Sequence, residues 1–294
     1  MPHTKIQNGF EYIELQAGES TPTQCIVLLH GHGSNAEDFS ESIIPHITDY
    51  PDTLFIIING QFGIKDTPAL KAYLKSSTKS KAKLEILGSQ DAKDTDISDT
   101  DMKKATDLAQ QMEQKHLDNL LSARTCIDGF DIPKTALSMM FNRLSLLKEL
   151  NRFIDNRLDE HDIEQDKLSI MGFSLGGAIA LYTAFARKSE CNAVVSHSGA
   201  YLGFGKLNSK PRTLHIMGKQ DHMFHMDPDK DFKDEKGLGA KLKKAFYKAL
   251  NFDFQHTKQR LEKRKIPTVS VAIEDMDHIA TADTIKQSLA FALR

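Results

Sequence analysis

The chain has 294 residues, 40% of them hydrophobic and 27% charged, ordinary globular usage and enough to bury a core without disulfide or metal staples. Its 38 Lys+Arg against 40 Asp+Glu leave a formal charge of −2, which speaks against a nucleic-acid binder, whose footprint is a basic excess. Cys25, Cys126 and Cys191 form no CxxC pair, the N-terminal residues lack the apolar run of a signal peptide, and no window approaches 18 apolar residues; the reading is of free thiols in a soluble, cytoplasmic protein with no transmembrane segment.

In chain order, residues 10–15 alternate loosely and suit an exposed edge strand, whereas 25–29 and 54–58 are continuous apolar runs, the pattern of strands buried on both faces of a parallel sheet. Between them, Leu29-His30-Gly31-His32-Gly33 opens what reads as a polar loop through Asp38, and its two glycines let the backbone at His32 approach a ligand closely. His30 and His32 could start a HxHxDH metal site, but positions 34 and 35 are Ser and Asn where that site needs Asp and His, so no metal is assigned. Residues 65–142 interrupt the rhythm. They hold a polar, Asp-rich run at 89–100 that reads as a linker, because no glycine turn and no closing Glu make it a calcium loop. An amphipathic helix carrying Met102, Ala105, Ala109, Met112, His116 and Leu120 is predicted after it.

Helical spacing then runs from Leu144 to Leu158, a strand is predicted at 168–171, and Gly172-Phe173-Ser174-Leu175-Gly176 passes directly into a helix over 175–188. A GxSxG pentapeptide between strand and helix is the pattern of a strained turn that points the serine hydroxyl out above a sheet. The Leu175 amide then sits at a helix N-terminus, where N–H groups lack partners and favour negative charge. Strands at 193–196 and 213–217 follow, the latter running into Gly218-Lys219-Gln220-Asp221. Residues 227–265 form a second interruption, acidic at first and basic at 258–265, with a helix through Leu242, Phe246 and Leu250; the basic stretch reads as a solvated helix face. The strand at 269–273 runs into Asp277-His278, ahead of a helix over 281–293. Alternating strands and helices imply a mostly parallel sheet with helices on both faces.

A serine nucleophile needs a base, and the base needs a third group to fix its tautomer. Asp221 and His278 both lie just past strand C-termini, where open α/β sheets bind ligands, and they follow Ser174 in the order Ser, acid, base. Asp227 and Asp275 stand as rival acids, and His197, His222 and His225 as rival bases; His222 and His225 lack the further ligands of a metal site.

The blocks at 29–33, 172–177, 198–199, 218–221 and 277–278 resemble the phospholipase/carboxylesterase family, the acyl-protein thioesterase-like branch of the α/β-hydrolases, over roughly half of the chain. The resemblance implies one α/β-hydrolase domain over 1–294; the breaks in rhythm at 65–142, beyond a strand's C-terminal end, and at 227–265 read as an inserted helical cap and a second insertion, both unusually long for that family. The resemblance implies Ser174 as nucleophile, Asp221 as orienting acid, His278 as base, and oxyanion amides at His32 and Leu175. The implied activity is hydrolysis of carboxylic esters or thioesters of small-molecule, lipid or protein-borne acyl groups, of carboxylesterase, lysophospholipase or acyl-protein thioesterase type, with no cofactor. A peptidase of the same fold and a non-catalytic binding protein with a blocked site are the alternatives. Two departures stand out. Leu175 occupies the place where many relatives carry Gln, and no Trp-Phe pair follows the 54–58 strand, since the chain has no Trp.

Overall fold

The computed structural model describes residues 4–60, 62–63, 124–125, 143–223 and 251–294, together with 233, 237, 241 and 244. The predicted helices at 102–120 and 242–250, the Asp-rich run and the body of the proposed cap lie outside these residues.

The central element is an eight-stranded sheet in the order β1-β2-β4-β3-β7-β8-β9-β10. Its strands are β1 (Lys5–Gln7), β2 (Phe10–Leu15), β3 (Gln24–Leu29), β4 (Thr53–Ile58), β7 (Leu168–Phe173), β8 (Ala193–His197), β9 (Arg212–Gly218) and β10 (Thr268–Ile273). β1 and β2, and β2 and β4, run antiparallel; every pairing from β4 to β10 is parallel. A separate ladder joins β5 (Phe62–Gly63) to β6 (Arg124–Thr125). Among the described residues, five α-helices accompany the strands: α1 (Ala36–Ile43), α2 (Arg143–Glu160), α3 (Leu175–Ala186), α4 (Phe254–Lys263) and α5 (Ala282–Ala292).

Side chains alternate across a strand, so continuous apolar runs feed two cores at once. Cys25, Val27 and Leu29 of β3 with Leu54, Ile56 and Ile58 of β4 pack under α2, α3 and α4, where Phe153, Ile154, Leu181, Phe185 and Leu261 complete one core. The intervening Ile26, Leu28, Phe55 and Ile57 pack under α1 and α5 with Phe39, Ile43, Ile285 and Leu289. Each fully buried aliphatic or aromatic side chain contributes about 1.5–3 kcal/mol. Within the first core a buried cation, Arg157, donates to Tyr12 Oη at 3.1 Å and pairs with Glu160, with Glu14 Oε1 at 3.5 Å.

Three readings change. Residues 10–15, read as an exposed edge strand, are β2, flanked by β1 and β4 with Phe10, Tyr12 and Ile13 buried. Residues 34–38 are not a loop throughout: Asn35 caps α1, its Oδ1 accepting the Asp38 amide at 2.7 Å, and Glu37 and Asp38 sit in the first turn, where the helix dipole favours acidic groups. The basic stretch 258–265 is not simply solvated. Arg264 donates to the carbonyls of Gly203 and Gly205 at 2.8 and 2.9 Å, and Arg260 to that of Asn251 at 2.8 Å, while Leu261 of the same helix is fully buried. β1, absent from the sequence reading, is a short and largely exposed addition to the edge.

Candidate active site

The β7–α3 junction forces Ser174 into φ 54°, ψ −120°, a left-handed conformation that a non-glycine residue enters only under constraint. The constraint is visible. The Ser174 amide donates to His197 O at 2.8 Å, and its carbonyl accepts from Ala178 N at 3.1 Å as α3 begins. Helix and sheet approach so closely here that a Cβ on Gly176 would collide with Leu29 O and lie 2.5 Å from His30 O. Leu175 is the first residue of α3, so its amide is among those with no intrahelical acceptor. The loop after β3 lies against the same turn: a Cβ built on Gly31 would be 3.3 Å from Ser174 Cβ. His32, next in that loop, is partly buried, and burial lowers its imidazole below the usual value.

Opposite the elbow, the turns after β9 and β10 bring Asp221 and His278 to the serine. His278 Nδ1 lies 2.9 Å from both oxygens of Asp221, and Nε2 lies 2.8 Å from Ser174 Oγ. Because the carboxylate can only accept, Nδ1 carries the proton and Nε2 is left to accept from the serine hydroxyl. The Asp221 side chain is fully buried and that of His278 is 13% exposed. Asp221 Oδ1 also accepts the Met223 amide at 3.2 Å. The strand ends permit this meeting because Gly218 has no side chain; a Cβ there would strike Met276 O.

The rival groups are elsewhere. Asp227 and His225 lie outside the described residues. Asp275 Oδ1 faces Gln220 Nε2 at 3.4 Å, and His222 pairs with Asp277. His197 is buried behind Phe173, whose ring stands 5.5 Å from its own and 5.1 Å from that of His278. Its Nε2 meets Thr284 Oγ1 at 2.8 Å, and burial, with His278 close by, lowers its pKa to about 4. His30 Nε2 accepts from Gly60 N at 2.9 Å, tying the ends of β3 and β4 together, while Nδ1 faces Gly31 O at 2.7 Å within its own loop. Among the described residues, no group of three or more His, Cys, Asp or Glu is placed to hold a metal ion. Cys25 and Cys191 are free and buried, and burial pushes the Cys191 thiol up to about 12.

Residues 142–280, which hold the elbow, Asp221 and His278, match the model of the phospholipase/carboxylesterase family. The resemblance is borne out: this is an α/β-hydrolase fold. Solved structures share the fold over nearly the whole chain. The esterase PE8 superposes with TM-score 0.58 at 15% identity, covering 95% of both chains. The Bacillus cereus carboxylesterase does so with TM-score 0.53 at 12% identity, covering 96% of this chain and 93% of its own. Arabidopsis thaliana SOBER1 gives TM-score 0.51 at 12% identity over 92% of this chain and 97% of its own. At such identities the structures speak for the fold, and the family match supports ester hydrolysis. No curated protein matches the chain in sequence. No described helix is long and apolar enough to cross a membrane.

Proposed function

We propose that the protein is a serine hydrolase of carboxylic esters or thioesters that works through an acyl-enzyme, with Ser174 as nucleophile, His278 as general base and Asp221 as its orienting acid. The observation that carries this reading is the unbroken chain from Asp221 through His278 to Ser174, with contacts of 2.9 and 2.8 Å, ending on a serine in a left-handed turn. As Ser174 Oγ attacks the substrate carbonyl, Nε2 of His278 takes its proton, and Asp221 stabilises the imidazolium without taking a proton itself. The tetrahedral oxyanion falls to the amides of Leu175 and His32, each such donor being worth about 3–4 kcal/mol in the transition state. His278 then protonates the departing alcohol or thiol, and water repeats the sequence on the acyl-enzyme.

Two of the exposed large apolar residues, Met223 at 38% and Ile279 at 53%, follow the acid and the base in the chain. Apolar surface beside the reacting groups favours an acyl chain over a charged substituent. We place the protein in the cytoplasm; the cap read from residues 65–142 lies outside the described residues but for 124–125. The substrate class spans carboxylesterase, lysophospholipase and acyl-protein thioesterase types.

The test is covalent labelling by a fluorophosphonate with the modified peptide mapped, beside hydrolysis of p-nitrophenyl esters of increasing chain length. Labelling at Ser174 that vanishes in Ser174→Ala, with hydrolysis falling about 10⁵–10⁶-fold, is the expected result. A folded protein that neither labels nor hydrolyses would leave the binding-protein alternative standing.

A further inference from the structure

The turns after β9 and β10 do more than deliver Asp221 and His278. Each carries an Asp-His dipeptide, Asp221-His222 and Asp277-His278, and the two exchange partners. Asp221 holds the imidazole of His278, while Asp277 Oδ1 holds that of His222 at 2.6 Å. One pair is buried against the nucleophile. The other lies at the surface, His222 being 67% and Asp277 53% exposed, with the two imidazoles edge to face at 6.4 Å.

Asp277 does something that Asp221 does not. Its single Oδ1 also accepts two main-chain amides, that of His222 at 3.1 Å and that of His278 at 2.7 Å. One exposed oxygen thus anchors the residue after the acid and the base itself. The rest of the junction is stitched in the same sense: Lys219 pairs with Glu274, Gln220 Nε2 reaches Asp275 Oδ1, Lys219 N donates to Ile273 O at 2.8 Å and Gln220 N to Met276 O at 3.2 Å. These contacts hold the backbones side by side. Asp277 is bonded to the main chain of both His222 and His278.

We propose that Asp277, with His222 as its partner, is a positioning residue for the base: it fixes the backbone of His278 against the acid-bearing turn, so that Nε2 stays within reach of the nucleophile. The proposal rests on the serine-hydrolase reading. It is consistent with the carboxyl of Asp277 being held down to about 2, chiefly by the His222 side chain and then by the two amides, since a group that stays ionised is a dependable acceptor. Misplacement of a reacting group by about 1 Å costs up to 100-fold in rate without weakening substrate binding, so the effect belongs in kcat and not in KM.

The experiment compares wild type, Asp277→Ala, Asp277→Asn, His222→Leu and His222→Asn for kcat and KM on p-nitrophenyl butyrate and for the rate of fluorophosphonate labelling, with thermal melting as the fold control. Asp277→Ala should lose about 10- to 100-fold in kcat and in labelling rate with KM within twofold. Asp277→Asn, which keeps an oxygen for the two amides, should recover most of that loss. His222→Leu should lose severalfold, and His222→Asn, whose amide nitrogen stands near the place of Nδ1, should restore it. Because both side chains are exposed, the His222 series reports even if Asp277→Ala melts early. Wild-type labelling with all four variants within twofold of it in kcat would overturn the positioning role while leaving the hydrolase reading intact. A wild type that neither labels nor turns over would overturn both. A KM that rises as kcat falls would place Asp277 in substrate binding and overturn the proposal as well.

Discussion

The two halves of the site differ in how far side-chain pairs hold them together. The nucleophile half is backbone against backbone: Gly176 admits the main chain of β3 at a distance no side chain allows, and Ser174 is held in a left-handed turn by main-chain hydrogen bonds to β8 and α3. The acid–base half adds side-chain clasps to a smaller set of main-chain contacts: Gly218 and the Lys219 and Gln220 amides bring the two turns together, and Asp221–His278, Asp277–His222 and Lys219–Glu274 join them, with only the first of these pairs buried. A half made by steric exclusion fails all at once when an atom is added. A half made by polar pairs degrades in steps, each scaled by how deeply the pair is buried.

That contrast can be broken or sharpened in order of expected effect. Asp221→Asn keeps the shape of the buried acid but can present an N–H to Nδ1 and favour the wrong tautomer; kcat should fall about 10⁴-fold with little change in folding, and a loss under tenfold would mean that another acid orients His278. Gly176→Ala forces a Cβ against Leu29 O. It should cost about 3 kcal/mol or more of stability by denaturant titration, and a variant as stable as wild type would show that the elbow can relax.

Acid comes next, and it acts on the base side of the sheet from beneath. His197 and His215 are buried, and burial lowers both from 6.5 to about 4. Between those values the unfolded chain binds protons that the folded one refuses, so stability rises with pH across that window, by at most about 1.4 kcal/mol per pH unit for each histidine. Urea midpoints measured from pH 4.5 to 7.5 should climb and then level off above the upper value; a flat series would mean that these rings take up their protons in the folded state. Smallest of all, Lys219→Ala removes an ion pair whose members are 52% and 74% exposed, and the unfolding free energy from urea titration should change by no more than about 0.5 kcal/mol; a larger loss would mean that this pair helps to hold the two turns together.

The same contrast explains what could be read from the residues alone. β3 and β4 were legible because strands buried on both faces carry uninterrupted apolar runs, β7 to β10 because short apolar or β-branched runs alternate with helical spacing, and the Gly172–Gly176 pattern announces a turn that sterics make nearly obligatory. α1 was not, since Asn35, Glu37 and Asp38 resemble a loop until the cap shows them to be a helix start. β1 was missed because Lys5-Ile6-Gln7 buries little and leaves no pattern. Ser174, Asp221 and His278 are brought together as their order suggested, but nothing in the residue pattern singled out Asp277, whose oxygen serves main-chain amides and a neighbouring turn. Arg260 and Arg264 were misjudged for a related reason: their partners are carbonyls, which every residue carries and no motif records.

The pairing of β3 with β7 carries a different kind of consequence. Cys25 lies opposite Leu168, so the middle of the sheet joins residues 143 positions apart (168 − 25). In polymer terms that closure is expensive to begin and cheap to extend, for each doubling of a flexible connection adds only about 0.6 kcal/mol. A sheet whose central seam already spans such a separation can accept a long stretch between β4 and α2 with almost no loss of equilibrium stability. The cost appears in time instead: central strands that must find each other across so much chain make a slow-folding topology, and the apolar faces of β3 and β4 are exposed for as long as that search lasts.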